Sequence, residues 1–496
     1  MSIHKTYEAE RITLRVLLIF YFTFNLTLLL LHEPWRDEAN AWLFARDCSI
    51  VELFQQIHYQ GHPCLWYLIL MPFAKLGFPM FTMGIISLVL MTIAAGLFLF
   101  RINLPVWSKA VVIFSPIFSY FYPVISRNYC LIPLLIMLFL ITYPKKDECP
   151  MRVGIILALM VQADTIVIPM AGVLSLMWLW QGVRERAYLN TVKGLIWPLL
   201  SVIIWILEFL NVSESPHYGS EYASSSELLT ELKNYGLQII GRITGINGIW
   251  LWMVLLSIIG LVILLSINMK AVWPLMIFCA VFGFETVFGV MVYGLHIWHY
   301  ICIPFAIIVA VGIWGIKGNN AERVEDSKNS STTYLRIISG VILSIFALLM
   351  FINWTSDAEP NNFKNAVSGL YSDSTNTARF VRKNIPEGSI IVTSNIEYAS
   401  SVVGQLPNRY EFIYAGTMEK ATYSNYIDDD DATVISFDEL RNKLAEQFPE
   451  AETIYILDGV ASSLVGVDES KVKKLYETMG ETAKGEYYTV YQLKNE

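Results

Sequence analysis

The sequence predicts an α-helical polytopic membrane protein with a soluble α/β domain at its C-terminal end. Three observations carry that expectation. Hydrophobic residues make up 55% of the 496 positions and charged residues only 16%, well below the ~25% charged content of ordinary soluble domains. Apolar runs approaching the ~20 residues a helix needs to cross hydrocarbon recur as far as residue 353. After Trp354 they give way to short strand-like segments alternating with amphipathic helical ones.

The first run, 12–31, has no small-residue cleavage site before His32, Glu33 and Pro34, so it is expected to stay as the first span. It is followed by the stretch most loaded with polar chemistry, WRDEANAWLFARDCSIVELFQQIHYQGHP at 35–63, within a first outer loop spanning 32–79. Two short amphipathic helices are expected here. The second opens on a Ser49/Glu52 capping box, places Ile50, Leu53, Phe54 and Ile57 on one face, and stops at Gly61 and Pro63. With that face in the lipid it would hold the preceding carboxylates at a fixed height. The apolar segment 64–76 is short and contains Pro72, which reads as a juxtamembrane or re-entrant helix.

Further runs lie at 80–100, 109–124, 129–143, 152–163, 165–181, 194–211, 248–268, 271–293, 297–315 and 334–353, which makes about eleven spans. A break near 162–164 decides whether 152–181 is two helices or one kinked helix. Alternating the spans places sixteen basic residues of the membrane part at one side, Lys145, Lys146, Arg184, Arg186 and Lys270 among them. The other side receives six: Arg36, Arg46, Lys75, Arg127, Lys233 and Arg242. By the positive-inside rule the richer side is cytoplasmic, so the 32–79 loop and the C-terminal domain are expected outside. The loop 212–247, polar and then amphipathic, would share that side and close with the first loop over one cavity. A polar cytoplasmic linker, 316–333, leads to the last span, 334–353.

The remaining segment, 356–496, is expected to form an extracytoplasmic α/β domain. Helices are expected near 375–384, 438–448 and 468–478, with strands at SIIVTS, TVIS, TIYILD and YYTVYQL. It carries 23 Asp and Glu against 13 Lys and Arg, a balance of −10, so with a chain total of −8 the membrane part is near +2. Nothing in that balance points to nucleic acid. The acidic run 428–431 lacks the spacing of a calcium loop and reads as a solvated turn. Six scattered cysteines, without C-x-x-C spacing, speak against a zinc or disulfide framework; Cys48 and Cys64 could bridge in an extracellular first loop, but unpaired thiols are the expected state. No Walker loop, G-x-G-x-x-G, G-x-S-x-G or H-E-x-x-H motif occurs.

Chemistry is expected where polar groups gather on the side of the first outer loop. Asp37 and Glu38 stand just beyond the first span, where ionised groups need water, a metal or a basic partner. Arg36, His58 and His62 share their loop, Arg127 and Tyr129 open another span, Asp164 lies between two spans, and His296 and His299 sit at a further boundary. Each alone is ordinary, an arginine as an interface anchor and a boundary histidine as a satisfied polar group. Their shared face is the argument.

The Asp-Glu pair after the first span, the apolar helix introduced by His62 and Pro63, and the S-R-N-Y segment at 126–129 together resemble the GT-C superfamily of membrane glycosyltransferases. The pattern is most similar to protein O-mannosyltransferases and to lipid A aminoarabinose transferases, over the membrane half to about residue 315. The resemblance implies a GT-C-like region at 1–315 that takes a sugar from a polyprenyl-phosphate carrier and passes it to a glycan, lipid or protein acceptor outside the cytoplasm. It implies Asp37 as general base or metal-site carboxylate, Glu38 beside it as a second ligand of a possible divalent metal, and Arg127 with Tyr129 at the carrier phosphate. Asp164 falls where relatives often carry a histidine or tyrosine. An acceptor hydroxyl attacking an anomeric carbon needs a carboxylate to take its proton, and the departing phosphate needs cations. A polytopic transporter or lipid flippase would also bury charges, but no internal repeat is found and the polar residues cluster at one face. A membrane scaffold displaying the C-terminal domain leaves the Asp37 loop unexplained.

Overall fold

A computed structural model describes residues 2–210, 225–300, 302–320, 330–356, 362–369, 371–420, 422–424, 434–459 and 464–494. The acidic run 428–431, the polar start of the 212–247 loop and residues 321–329 of the 316–333 linker lie outside the described residues.

The chain passes through α1 (Ser2–Leu31), α2 (Arg36–Asp47), α3 (Ile50–Gln56), α4 (Leu65–Lys75), α5 (Phe81–Arg101), α6 (Val106–Ile113), α7 (Leu131–Thr142) and α8 (Pro150–Ala163). It continues with α9 (Ile168–Arg184), α10 (Tyr188–Glu208), α11 (Ser225–Thr244), α12 (Gly248–Met269), α13 (Trp273–Met291), α14 (Cys302–Asn320) and α15 (Ser330–Thr355). Among the described residues, eight helices are long and apolar enough to cross a membrane, and three apolar ones, α4, α8 and 304–315 of α14, are shorter. The run 109–124 crosses the bundle, from Lys109 beside the Leu99 carbonyl at 2.7 Å to Ser126 beside Glu38 at 2.7 Å, but not as one continuous helix. Pro116 has no amide hydrogen to continue α6, so the helix stops at Ile113 and a π-helical turn, Ile117–Phe121, follows inside the bundle.

Asp164 resolves the break between 152 and 181. Its backbone is extended, with φ −164° and ψ 145°, and ends α8. Gly154 packs against Gly194, and Gln162 donates to the Ser201 carbonyl at 3.2 Å, so α8 and α10 run in the same direction. The helix between them, α9, therefore runs back, and two helices meet at Asp164. Its return brings Gln181 to Tyr143 at 2.9 Å and Glu185 to Lys146 at 3.4 Å. That end of the bundle holds a cavity of about 680 Å³ lined by Lys146, Arg184, Lys270, Trp180 and Trp273.

The capping box that starts α3 is formed: Ser49 N–H donates to Glu52 at 2.7 Å and Glu52 N–H to the Ser49 hydroxyl at 3.2 Å. Gly61 ends the following 3-10 turn with φ 71°. Its apolar face does not simply enter lipid. Leu53 and Ile57 are buried in the protein core, while Ile50 and Phe54 remain exposed. Cys48 and Cys64 are buried free thiols.

The C-terminal segment contains α16 (Phe363–Ser368), α17 (Ser374–Asn384), β1 (Ile390–Thr393), α18 (Ile396–Val403), β2 (Glu411–Tyr414), β3 (Ile435–Ser436), α19 (Phe437–Gln447), β4 (Thr453–Asp458), β5 (Leu464–Val465), β6 (Val472–Glu477) and β7 (Thr489–Lys494). A five-stranded sheet has the order β2-β1-β4-β7-β6, with β2, β1 and β4 parallel and β7 antiparallel to both neighbours. Alternate residues face opposite cores: Ile391, Tyr455 and Leu457 on one side, Val392, Ile454 and Ile456 on the other. The helix expected at 468–478 is instead strand β6. Val472, Leu475 and Tyr476 have helical spacing, but pairing with β7 fixes this segment at the sheet edge.

Candidate functional site

At the bundle end opposite the Lys146 cavity, the chain leaves α1 and turns into α2 at Trp35. Adjacent residues on a helix point about 100° apart, so Asp37 and Glu38 separate. Glu38 turns inward. It is fully buried, pairs with His32 Nε2 at 2.8 Å, and accepts from the backbone N–H of Ser126 at 2.7 Å and of Trp35 at 3.3 Å. The side chain thereby joins α1, the start of α2 and the turn before α7.

Asp37 faces a cavity of about 480 Å³. Its carboxylate lies 3.4 Å from Arg127 Nη1 and 3.9 Å from Arg36 Nε. Of the residues singled out in the sequence, Arg36, Asp37, His62, Arg127, Tyr129, Asp164, His296 and His299 line this cavity. Glu38 and His58 do not; His58 is buried with its ring 3.9 Å from that of Tyr59.

Asp164 is placed by the turn between α8 and α9. One carboxylate oxygen accepts from Ile166 N–H at 2.9 Å, the other from the Asn128 amide at 2.7 Å, and it lies 3.3 Å from His62 Nδ1. The same His62 nitrogen lies 3.5 Å from the Asn128 amide, so Asp164, Asn128 and His62 form one buried polar group. Tyr129 stands between two histidines, edge-on to His62 and to His299 at 5.6 Å each, and stacks on Tyr122. Burial first, then the neighbouring His296 and His62, hold His299 well below the usual imidazole range. Its Nδ1 accepts the backbone N–H of His296 at 2.8 Å, which places the ring proton of the neutral form on Nε2.

The segment 292–300 that carries these histidines is braced by α11. Tyr235 accepts the Leu295 N–H at 2.8 Å, and Arg242 donates to the Leu295 carbonyl at 3.2 Å. The second half of the 212–247 loop thus supports the cavity wall.

The sequence reading missed the contribution of the C-terminal domain. Glu397 and Lys484 line the cavity together with Trp35, Tyr293 and Trp298. Glu397 pairs with Arg36 Nε at 2.8 Å, and the Arg36 guanidinium lies 4.4 Å over the Tyr398 ring. Buried Glu486 accepts the Arg36 backbone N–H at 3.0 Å. Asn40 exchanges two hydrogen bonds with the backbone of Ser424, at 3.0 and 2.9 Å. Trp35 and Trp298 were visible as aromatics beside suspected residues, whereas nothing in the local sequence marks Lys484.

Chemically, the arrangement offers a partly exposed carboxylate among cations, a carboxylate–histidine pair and aromatic walls. Among the described residues no group of three or more His, Cys, Asp and Glu converges as metal ligands, and Glu38 is already engaged by His32 and Ser126. No curated protein matches the chain. A family profile described as "Predicted membrane protein (DUF2079)" matches residues 49–451. With most of its length matched, the chain belongs to the DUF2079 family of predicted membrane proteins.

Proposed function

We propose that the protein is a GT-C-type glycosyltransferase of the plasma membrane that moves a sugar from a polyprenyl-phosphate donor to an extracytoplasmic acceptor. The observation that carries the reading is Asp37: a carboxylate on the wall of a cavity at the bundle end, 3.4 Å from Arg127. In the reaction an acceptor hydroxyl oxygen bonds to the anomeric carbon as the carbon–oxygen bond to phosphate breaks. The hydroxyl proton passes to Asp37, and the electron pair leaves on the phosphate oxygen, which Arg127 stabilises. In-line displacement inverts the anomeric centre. The aromatic residues Trp35, Tyr129, Tyr293 and Trp298 offer faces for a sugar ring and limit water.

The phosphate is assigned to guanidinium groups because Glu38, the second carboxylate a metal would need beside Asp37, is engaged by His32 and a backbone N–H. The side of the membrane follows from charge: Lys146, Arg184 and Lys270 surround the far cavity, which supports a cytoplasmic face there.

Purified protein tests this with a panel of polyprenyl-phosphate sugars and cell-envelope acceptor, with and without divalent metal. Consumption of one donor with a glycosylated product is the expected result. No consumption of any donor, together with movement of unaltered lipid in vesicles, replaces this reading with a transporter or flippase.

A further inference from the structure

Lys484 precedes β7 in the C-terminal domain, yet it lines the same cavity as Asp37. Its ammonium stands in an aromatic box: Nζ is 3.7 Å from the Trp35 ring centroid, 5.1 Å from that of Trp298 and 5.5 Å from that of Tyr371. The backbone holds it there, since Lys484 N–H donates to the Tyr371 carbonyl at 3.1 Å. The other cavity cations are matched to carboxylates, Arg36 to Glu397 and Arg127 to Asp37. Among the described residues no carboxylate forms an ion pair with Lys484. Three ring faces attract a cation, but they do not supply the charge-assisted hydrogen bonds that an anion would.

We propose that Lys484 is a phosphate-binding residue contributed by the C-terminal domain, held between Trp35, Trp298 and Tyr371 until the phosphate of a lipid-linked substrate enters the cavity. The inference rests on the polyprenyl-phosphate reading and extends it: the C-terminal domain is part of the substrate site. The long, flexible lysine stem lets the ammonium turn from the rings to an anion without moving the backbone. An entering phosphate then gains a cation that is not already paired, whereas Arg36 and Arg127 must share theirs.

The geometry carries a pH signature. Burial brings the Lys484 ammonium down to about 8, against the opposing pull of Asp37. Arg36 adds to the lowering, while Glu486 and Glu38 act with Asp37, and His296 faces the same space from 292–300. The side chain is cationic below that value and neutral above it, so affinity for a phosphate falls as pH rises through about 8.

The test measures binding of a short-chain polyprenyl monophosphate, and of the corresponding alcohol, to the full-length purified protein. Wild type is expected to prefer the monophosphate. Lys484→Met is expected to weaken monophosphate binding about tenfold, with Lys484→Arg restoring most of it and alcohol binding unchanged in both. Wild-type affinity should decline between about pH 7 and 9, and the decline should be absent in Lys484→Met. Lys484→Gln serves if the methionine variant does not fold, because it keeps a polar end without charge. Equal monophosphate binding by wild type and the neutral variant overturns the proposal, as does a wild type that binds the alcohol as tightly. Lys484-dependent phosphate binding without sugar transfer overturns the transferase reading and leaves the anion site standing. Transfer with an unchanged KM in Lys484→Met does the reverse.

Discussion

Two neighbouring carboxylates do different work here, and their surroundings decide which. Glu38 ties together α1, α2 and the turn before α7 through His32, Trp35 and Ser126. Removing it leaves buried partners without an acceptor, so Glu38→Ala is expected to destabilise the protein by about 3 kcal/mol. Glu38→Gln, which keeps the volume and an acceptor oxygen, should cost less. Thermal unfolding in detergent measures both. An unchanged midpoint in Glu38→Ala would place Glu38 outside the framework. Asp37, with its side chain 31% exposed, is expected to be replaceable by Asn at little cost in stability. The sequence marked the pair as one unit because both are acids at the end of a span. That one turns inward follows from the 100° step of the helix, but which one depends on what surrounds α2, and that is a tertiary fact.

At the level of elements, the site depends on α8 and α10 approaching closely enough to hold the Asp164 turn. Gly154 faces the backbone of Gly194, and Gly194 faces the ring of Trp178. A methyl group at position 154 has no room, so Gly154→Ala should part the helices and cost roughly 1–3 kcal/mol. The same change should displace Asp164 from His62, lowering transfer more than donor binding. Unfolding and kinetics of this variant check the pair of effects, and wild-type behaviour in both would remove α8–α10 packing from the account. Apolar length located most of the helices because hydrocarbon demands it. The break in the helix at 109–124 has a local cause, since Pro116 was in view and outweighs an unbroken apolar composition. The failure at 468–478 does not: Lys473 and Lys474 among spaced apolar residues suit a helix, and only pairing with β7, itself clear in YYTVYQL, makes the segment a strand.

Across the whole molecule, the C-terminal domain closes one wall of the cavity, through contacts between residues hundreds of positions apart that no motif announces. Glu33 stands at this junction. Burial, then Asp373, push its carboxyl up from 4.5 to about 8, with Glu486 adding and Arg379 opposing. The folded state thus holds a proton that the unfolded chain releases, and the stability linked to it declines as pH rises from 4.5 to about 8. Hydrogen exchange in α17 should accelerate over that range in wild type and stay flatter in Glu33→Gln. Identical profiles would remove Glu33 from the docking. Strands β1, β3, β4 and β7 and two of the domain's helices were legible from alternation, but β2, β5 and β6 were not, nor was its share in the site, because Glu397 and Lys484 acquire meaning only when Arg36 and Trp35 are beside them. The central claim, that Asp37 accepts the proton of an attacking hydroxyl, is tested most directly by comparing wild type with Asp37→Asn in single-turnover transfer from whichever polyprenyl-phosphate sugar the wild type uses. The account predicts that Asp37→Asn still binds the donor but transfers it at least about 100-fold more slowly. Transfer at the wild-type rate would contradict it.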